Sequence, residues 1–422
     1  MPIRAFEALR YNPKRVKIGL VTAPPYDIIS PKYQDELYAR DERNVVRLEF
    51  GKDFELDDAN HNRYTRSREF LENWIREGVL HQDKEPSIFI YEQEFVHPDT
   101  HKKMKRLAFF AALKLEEFDK GHVYPHEFTL SGPKLDRLKL LTATHTSLSP
   151  VFGLYEDPKK SIRKLLMQAK GKHALYSYKD DQGVSHHIWH VSDSKNIHRL
   201  EQLFKAKAIF IADGHHRFET AYNYYRSLNN SSVSRTEKER AGYALAAFVA
   251  LEDPGLAIFP THRLVKGIEN FHPEEVLGKI SEHFEIKKMK AKELEKTLLK
   301  SKSSQYLLGF YVDEEAWLLT LKKKPQAKEL EKLDTSIAAD SILKPVFHVT
   351  EQNREKHLFY THFFDEAIDK VDRGEVQCAV LLRATPLDIV KKICKRKSRM
   401  PQKSTYFYPK LATGLVFYRH AV

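Results

Sequence analysis

Cysteine is scarce in this sequence, with Cys378 and Cys394 the two among 422 residues. Their spacing matches no metal-ligating or redox motif, which excludes a disulfide framework and a zinc-binding cysteine cluster. Isolated thiols of this kind are typical of small core residues in a protein from a reducing compartment. We therefore expect a cytoplasmic protein in which neither cysteine takes part in chemistry.

Long apolar runs are also absent. No stretch approaches the roughly 20 apolar residues that a transmembrane helix needs, so we expect no membrane partner. The first residues, Met1 to Phe6, have no apolar segment behind a basic start, so we expect no secretory signal peptide. The sequence also lacks a Gly-rich Walker loop, zinc-ligand spacings, a GxSxG motif and internal repeats. The sequence therefore carries none of the motifs by which P-loop enzymes, zinc modules and serine hydrolases are usually recognised.

The charge balance is basic, with 70 Lys and Arg against 58 Asp and Glu and a net charge of +12. Such an excess raises nucleic acid as a partner. The basic residues are spread along the chain, however, and only Lys391 to Arg399 is dense enough to form a patch. Since no helix-turn-helix with a basic recognition helix is evident, nucleic acid is possible but is not the favoured partner.

The stretch from Ala208 to Ala221 is the most informative part of the sequence. An apolar run of strand length, Ala208 to Ala212, is followed by the turn pair Asp213-Gly214. Apolar residues then recur at helical spacing from Phe218 onward. This pattern predicts a strand, a tight turn and a helix, and the free N–H groups at the start of the helix favour an anion.

Polar residues crowd the predicted turn. His215, His216 and Arg217 follow Gly214, which lets the backbone approach a ligand closely, and the group predicts a site for a phosphate-sized anion. The alternative is that Asp213 only caps the helix and that the next residues form a solvated first turn. The wholly apolar strand argues for a site, because it indicates a sheet covered on both faces, and ligands usually bind at the carboxyl ends of such strands.

Two N-terminal segments add candidate residues. The loop from Ala23 to Pro31 is stiffened by prolines and carries Tyr26 and Asp27, which we assign to the substrate loop of the site. Asp27 would equally serve to cap a turn. Residues 44–51 alternate between apolar and polar side chains like a strand, which would place Arg47 and Glu49 on one face.

A further polar cluster lies in a predicted loop near residue 126. His126 and Glu127 form an imidazole–carboxylate pair that suits acid–base catalysis or metal binding. Arg137, a little further along, is assigned to the substrate loop. Two adjacent residues are a weak signal, and a structural role is the alternative.

The segment from Met400 to Lys410 is dense in lysines and hydroxyls. Lys403, Ser404, Thr405 and Lys410 have phosphate-binding chemistry, although the Gly-rich loop of a Walker motif is missing. An ordinary polar loop is the alternative.

The order of the predicted elements indicates an α/β (α+β mixed) protein of two lobes. A strand over residues 87–95 and a second over 106–115 predict a hairpin. From about residue 270 charged amphipathic helices alternate with short strands. We therefore expect an N-terminal α/β domain over residues 1–268 that carries the Asp213–Arg217 box, and a C-terminal α/β lobe over residues 269–422 that carries the Met400–Lys410 segment.

Three strings of the sequence are distinctive enough to compare with known families. They are Ala23-Pro24-Pro25-Tyr26-Asp27-Ile28-Ile29-Ser30, Ala212-Asp213-Gly214-His215-His216-Arg217-Phe218-Glu219-Thr220-Ala221 and Met400-Pro401-Gln402-Lys403-Ser404-Thr405-Tyr406-Phe407-Tyr408-Pro409-Lys410. Together they resemble the bacterial and archaeal domain-of-unknown-function 1015 family, over nearly the whole chain. That family has no established activity, so the resemblance implies an identity without a reaction.

More distantly, the box from Asp213 to Arg217 is similar to the phosphate-binding box of the ParB/sulfiredoxin superfamily. The resemblance implies a ParB/sulfiredoxin-like mixed-sheet core with nucleotide phosphates at the strand–turn–helix junction. The superfamily includes CTP-binding partition proteins, ATP-using sulfiredoxin and free-serine kinases that use ADP or ATP. Sulfiredoxin chemistry fits poorly, because no cysteine lies in or beside the box.

The resemblance to the serine kinases also implies roles for individual residues. Asp213 would orient the acceptor hydroxyl or bind Mg²⁺, and Gly214, His215, His216 and Arg217 would hold the phosphates. The kinases carry a separate catalytic glutamate, for which Glu49 is the candidate and Glu127 the second choice.

We therefore favour a nucleotide- or phosphate-binding enzyme of small-molecule metabolism. It would be a kinase of a serine-like hydroxyl acceptor that uses ATP or ADP (or CTP) with Mg²⁺, or a phosphatase built from nearly the same residues. Asp213, Glu49, Glu127 and His126 would be catalytic, and Lys403 and Lys410 would close over the phosphates from the second lobe.

Two alternatives belong to other functional classes. One is a non-catalytic ParB-like nucleotide-binding regulator with DNA or protein as its partner. The other is a small-anion-binding protein whose histidines hold a metal, which is disfavoured because adjacent helical residues such as His215 and His216 point about 100° apart.

Overall fold

The computed structural model describes residues 1–129, 131–228, 233–323 and 330–420. Its α-helices in chain order are α1 (Ile18–Val21), α2 (Pro31–Arg40), α3 (Val46–Glu49), α4 (Arg63–Arg76), α5 (Ser131–Thr144), α6 (Ser161–Ala169), α7 (Ser194–Phe204), α8 (His215–Ser227), α9 (Arg235–Ala241), α10 (Pro273–His283), α11 (Ala291–Lys300), α12 (Asp334–Ala338), α13 (Arg354–His357), α14 (Phe364–Asp372) and α15 (Leu387–Lys395). Within the described ranges, no helix is long and apolar enough to span a bilayer.

The strands are short and numerous. In chain order they are β1 (Ile3–Arg4), β2 (Leu9–Tyr11), β3 (Leu80–Gln82), β4 (Ile88–Val96), β5 (Lys103–Lys114), β6 (Val123–Tyr124), β7 (Thr146–Ser147), β8 (Val151–Tyr155), β9 (Tyr176–Lys179), β10 (Ser185–Val191), β11 (Ile209–Asp213), β12 (Tyr243–Ala250), β13 (Ala257–Phe259), β14 (His262–Val265), β15 (Phe284–Met289), β16 (Leu307–Val312), β17 (Glu315–Leu321), β18 (Leu358–Thr361), β19 (Cys378–Leu381), β20 (Tyr406–Tyr408) and β21 (Tyr418–Arg419).

The chain folds into two compact units. The first comprises residues 1–256 together with the described residues from 409 onward, and the second comprises residues 257–408. The two lobes expected from the sequence divide at residue 268 instead, and they leave the end of the chain with the second lobe. The first unit contains both the whole Asp213–Arg217 box and Lys410.

A mixed sheet forms the centre of the first unit. Its strand order is β6-β11-β8-β12-β5-β4-β10-β9, with β1 paired to β5. The β11–β6 and β12–β8 pairs are parallel and the other pairs are antiparallel. The hairpin of β4 and β5 matches the one predicted from the sequence. This sheet with its flanking helices confirms the predicted α/β class.

The two faces of this sheet are covered by different parts of the chain, because side chains alternate along each strand. On one face Ile90 and Phe109 pack into a core with residues of helices α6, α7 and α8. On the other face Phe6 packs on Phe89 with ring centroids 5.8 Å apart. The end of the chain also belongs to this unit, where β21 pairs with β7. The strand that leads to the Asp213–Arg217 box is therefore fixed within a sheet covered on both sides.

The segment predicted as a strand over residues 44–51 is helical instead. Helix α3 runs from Val46 to Glu49, and the Asn44 side chain accepts the Val46 N–H at 3.0 Å. The alternation is misleading because this local hydrogen bond and the burial of both Leu48 and Glu49 outweigh the short strand-like pattern. Arg47 and Glu49 consequently contact different partners, and the prediction that they share one face of a strand is wrong.

The second unit has its own antiparallel sheet of six strands in the order β15-β17-β16-β19-β14-β18. Helices α10 and α11 are the charged amphipathic helices expected after residue 270, and they bury Ile280 and Leu294. Two core clusters, one around Phe310 and one around Leu381, lie within this unit.

Candidate functional site

The strand, turn and helix predicted around Asp213 are all present. Strand β11 ends at Asp213, Gly214 adopts φ +86°, and α8 begins at His215. A side chain at this position would be strained by the positive φ, and a Cβ there would lie 3.0 Å from Cζ of Arg217. Glycine therefore lets the Arg217 guanidinium fold back over the turn.

The Asp213 carboxylate faces two cations. Its Oδ1 accepts the Gly214 N–H at 2.8 Å, and its Oδ2 lies 3.0 Å from the Lys410 Nζ and 3.5 Å from an Arg217 guanidinium nitrogen. Burial alone would raise the pKa of the Asp213 carboxyl, but the charges of Lys410 and Arg217 outweigh burial and hold this pKa well below its ordinary value. Asp213 is therefore a permanent carboxylate at neutral pH.

Arg217 has a second contact besides the Asp213 carboxylate. Its guanidinium also donates to the Pro150 carbonyl, and its side chain is 11% exposed. This places a nearly buried guanidinium at the start of α8, where the first backbone N–H groups of a helix have no intrahelical acceptor. Such a combination is suited to binding the oxygens of a phosphate.

Glu49 and Arg137 form a buried ion pair. One Arg137 nitrogen donates to Glu49 Oε1 at 3.1 Å and to the Glu49 carbonyl at 2.9 Å, and the Ser149 hydroxyl donates to the same Oε1 at 2.7 Å. Burial raises the pKa of the Glu49 carboxyl, against the lowering effect of the Arg137 charge and the Ser149 hydroxyl. The carboxylate is thus a stronger base than an exposed glutamate would be.

Glu49, Arg137 and Arg217 line one pocket. The open space of this pocket, including its mouth, is about 430 Å³. Four short stretches supply the rest of the wall, and the other lining residues are Leu140, Leu141, Thr146, Ser147, Leu148, Ser149, Val151, Thr220, Ala221, Ala244 and Leu245. The pocket therefore joins charged groups to an apolar wall, which is typical of a site for a small organic ligand.

The predicted substrate loop is divided by the structure. The Tyr26 ring lies against the Arg137 guanidinium, whose Cζ is 4.0 Å from the ring centroid. Burial raises the pKa of Tyr26 to about 12, so its hydroxyl stays protonated. Asp27 follows in a short 3₁₀ turn, where it is exposed. Tyr26 and Arg137 thus lie together, whereas Asp27 faces solvent.

His126, Glu127 and His215 form a separate cluster at the same strand end. His126 donates from Nδ1 to the Ile211 carbonyl at 2.6 Å, and its backbone N–H donates to His215 Nε2 at 3.3 Å. Glu127 Oε1 lies 3.7 Å from His126 Nε2. Burial and the neighbouring His126 lower the pKa of His215 to about 3, so His215 is a neutral imidazole.

His216, the next residue of the box, is only partly buried. Burial lowers its pKa as well, against the opposing charges of Glu127 and Glu219. Positive charge at the junction therefore comes from Arg217 and Lys410 rather than from the two histidines.

A protein-held Mg²⁺ ion does not fit the Asp213 carboxylate, because the Lys410 ammonium and the Arg217 guanidinium already face it. In the parts of the chain that the structure describes, no group of three or more His, Cys, Asp or Glu side chains is arranged to hold a metal.

The remaining predicted phosphate ligands, Lys403, Ser404 and Thr405, lie in the second unit. The Lys403 carbonyl accepts from Arg263 at 3.0 Å, and the buried Ser404 hydroxyl donates to the Pro401 carbonyl at 2.5 Å. Lys410 is the member of this segment that the structure brings to Asp213.

Sequence reasoning missed Ser149 and Asp136. The Asp136 carboxylate accepts from Arg137, Arg63 and Tyr64 at 2.6 to 2.8 Å, and so fixes the guanidinium that faces Glu49. Asp136 directly precedes Arg137 in the sequence, but only the fold brings Ser149 to Glu49.

Comparisons with known proteins identify a family. A model of the family described as "Protein of unknown function (DUF1015)" matches residues 3–336. Among curated proteins, no relative matches the chain. The similarity to the ParB/sulfiredoxin superfamily stays a prediction.

Several solved structures are similar at low identity. A free serine kinase in complex with AMP is 13% identical, with 69% of this chain and 92% of that chain covered and a TM-score of 0.34. A conserved hypothetical protein from Pyrococcus furiosus is 15% identical, with 69% and 89% covered and a TM-score of 0.33. A C-terminally truncated SbnI from Staphylococcus aureus is 8% identical, with 73% and 86% covered and a TM-score of 0.35. TM-scores this low give no information about the function of this chain.

Proposed function

The chain belongs to the DUF1015 family, and we propose that its first unit binds a phosphate-bearing small molecule beside Asp213 and transfers the phosphoryl group. The observation that supports this most is the shared pocket, in which Glu49 and Arg217 line the same small space. A fixed cation and a buried base in one pocket are two of the parts that phosphoryl transfer to a hydroxyl uses.

The phosphate end of the ligand would lie at the start of α8. Arg217 and Lys410 would bind its oxygens, with the helix N-terminus adding backbone N–H donors. Asp213 holds these two cations in place before the ligand arrives, as its contacts of 3.0 Å and 3.5 Å indicate. Preorganised charges of this kind stabilise a transition state without a later cost of reorganisation.

The acceptor hydroxyl would lie against Glu49. As its oxygen bonds to phosphorus and the bond to the leaving group breaks, its proton passes to the Glu49 carboxylate. Arg137 and the Ser149 hydroxyl hold that carboxylate in one orientation. The apolar part of the pocket wall, which includes Leu140 and Val151, suits an acceptor with a short aliphatic body. Transfer to water by the same residues would be a phosphatase reaction.

No observation favours the alternative of a nucleic-acid-binding regulator. The basic segment from Lys391 to Arg399 begins in the last residues of α15, an amphipathic helix that buries Val390 and Ile393. Lys392 and Lys395 on that helix are exposed. The segment is therefore a charged helix end rather than a groove.

The experiment is a transfer assay followed by mass spectrometry. The full chain is incubated with ATP, ADP or CTP, each with Mg²⁺, and with serine, threonine, homoserine or glycerol. A parallel incubation contains phosphoserine alone and detects hydrolysis. We expect one phosphorylated or dephosphorylated product that the wild type forms and Glu49→Gln forms at least about 100-fold more slowly.

A matched control is Glu92→Gln, because Glu92 is also buried and ion-paired in the first unit but is not among the lining residues of the pocket. This variant should keep full activity. Wild-type activity in Glu49→Gln, or a folded wild type that forms no product with any acceptor or with water, would contradict the proposal.

A further inference from the structure

The segment from Pro409 to Ala412 carries Lys410 to the site, and buried polar side chains of the central sheet hold its backbone. Gln93 on β4 and Arg106 on β5 are directly opposite each other in the antiparallel register. Their side chains are 1% and 0% exposed. Two buried polar residues of this size are unusual in a sheet, because they lose hydration unless their hydrogen bonds are replaced.

The chemistry of Arg106 fixes the orientation of the Gln93 amide. A guanidinium can only donate, and Arg106 Nε lies 3.1 Å from Gln93 Oε1, so this oxygen is the acceptor. The other end of the amide is then an NH₂ group. It donates to the Lys410 carbonyl at 2.9 Å.

Two further contacts continue this pattern along the segment. Arg106 also donates to the Pro409 carbonyl, and the Tyr91 hydroxyl accepts the Ala412 N–H at 3.4 Å. Three side chains of β4 and β5 thus bind backbone groups of residues 409, 410 and 412. The proline ring restricts φ at residue 409, which removes further freedom just before Lys410.

We propose that Gln93 and Arg106 are positioning residues, which fix the backbone of Pro409 and Lys410 so that the Lys410 ammonium is held at the Asp213 carboxylate. A lysine side chain loses much rotational freedom when its ammonium is fixed. Hydrogen bonds to the carbonyls of Pro409 and Lys410 fix the position of the Lys410 Cα, from which the side chain extends. The 3.0 Å contact with Asp213 therefore depends on groups at the far side of the Lys410 backbone.

The test measures the chemical reactivity of Lys410, which needs no ligand. The folded full chain is treated briefly with acetic anhydride, and peptide mass spectrometry gives the acetylation rate of Lys410 relative to the exposed Lys159. Gln93→Glu is the main variant, because a carboxylate still accepts from Arg106 but has no N–H for the Lys410 carbonyl. We expect the relative rate at Lys410 to rise by about fivefold to tenfold, as loss of one buried hydrogen bond would allow.

Two other variants separate positioning from general stability. Tyr418 lies in the same terminal segment, eight residues after Lys410, and its hydroxyl contacts Arg4 and the Arg240 carbonyl. Tyr418→Phe removes these contacts. This variant should have a lower melting temperature than the wild type, but the acetylation rate of Lys410 should be unchanged. Gln93→Leu removes both bonds of the amide and should raise the reactivity at least as much as Gln93→Glu, provided that it folds.

A folded Gln93→Glu with wild-type Lys410 reactivity would overturn the proposal, as would an equal increase in Tyr418→Phe. The proposal deepens the proposed function, but acetylation reports it separately. If no phosphate-bearing compound binds and the labelling result still holds, only the proposed function fails. If pyrophosphate binds the wild type, Gln93→Glu alone should lower the affinity for pyrophosphate. In a chain that already carries Lys410→Met, adding Gln93→Glu should leave the affinity unchanged.

Discussion

The Lys410 ammonium and the Asp213 carboxylate are 3.0 Å apart, although 197 residues separate them in the sequence. The strand that ends at Asp213 and the terminal segment that carries Lys410 both belong to the first unit. Lys410 lies outside residues 3–336, over which the family model matches. The charge balance of the candidate site therefore depends on a residue beyond the matched region.

Replacing Lys410 by methionine should weaken binding of a phosphate-bearing ligand. The change removes one of the two cations that face Asp213, and a hydrogen bond to a charged group is worth about 1.5 to 3 kcal/mol. Titration calorimetry should therefore show an affinity lower by about tenfold to a hundredfold. Unchanged affinity would contradict the assignment of Lys410. Lys403→Met tests the predicted second-unit phosphate ligand in the same assay.

Gly214→Ala should disturb both stability and binding. Alanine at φ +86° is strained by about 1 kcal/mol, and the added Cβ would displace the Arg217 guanidinium. Gly78→Ala is the matched control, since Gly78 has φ +71° in the same unit but nothing lies within 4 Å of the added Cβ. Both variants should melt at a lower temperature, but only Gly214→Ala should lose ligand affinity. Equal affinity in the two variants would count against a ligand at this turn.

Glu49→Ala and Glu49→Gln should differ in stability. Alanine leaves the buried Arg137 without the carboxylate that it contacts at 3.1 Å, which should cost about 3 kcal/mol of unfolding free energy. Glutamine keeps an acceptor for Arg137 and for the Ser149 hydroxyl, so its loss should be about 1 kcal/mol. Urea denaturation measures both values. If the alanine variant were as stable as the glutamine variant, the ion pair would not be the buried contact described above.

Acid should destabilise each unit through buried histidines, among them His215 in the first unit and His262 in the second. His215 Nε2 accepts the His126 N–H, and His262 Nδ1 accepts the Leu382 N–H at 3.0 Å. Burial first, and then the neighbouring His126 for His215 and Arg263 for His262, lowers the pKa of each to about 3. The unfolded chain takes up these protons near pH 6.5, so stability falls as the pH drops below that value toward 3.

The expected size of this effect is about 2 kcal/mol per histidine between pH 7 and pH 5. Melting curves across this range should show a shallower decline for His215→Gln and for His262→Gln than for the wild type. The exposed His198 provides a control, and His198→Gln should leave the profile unchanged. If the melting temperature of His215→Gln and of His262→Gln fell with pH as steeply as that of the wild type, these histidines would not be held neutral.

The local part of the site could be predicted from the sequence. The apolar run before Asp213, the glycine and the helical spacing after Phe218 are all short-range signals, and strand, turn and helix follow them. The same kind of signal failed at residues 44–51, because the Asn44 side chain accepts the Val46 N–H of a helical turn and the Glu49 carboxylate contacts Arg137. So short an alternation of apolar and polar residues does not outweigh such contacts.

The convergence of the site could not be predicted, because it depends on contacts between distant residues. Nothing in the string Met400–Lys410 indicates that Lys410 joins Asp213 whereas Lys403 lies in another unit. Ser149 is likewise an ordinary residue before a proline until the fold brings it to Glu49. These pairings are set by the order of strands in the sheet, which no local pattern contains.

A phosphate-bearing ligand is expected to bind at Arg217, and a ligand screen by thermal shift measures that binding. The purified full chain is melted with ATP, ADP, AMP, CTP, GTP, phosphoserine, pyrophosphate or duplex DNA, each with and without Mg²⁺. Ligand binding to the folded state raises the melting temperature by mass action. Arg217→Ala is compared with Arg226→Ala, an exposed arginine on the same helix.

We expect at least one phosphate-bearing small molecule to stabilise the wild type and Arg226→Ala, and to leave a folded Arg217→Ala unshifted. No shift with any of these compounds, a shift with DNA alone, or an equal shift in Arg217→Ala would contradict the account.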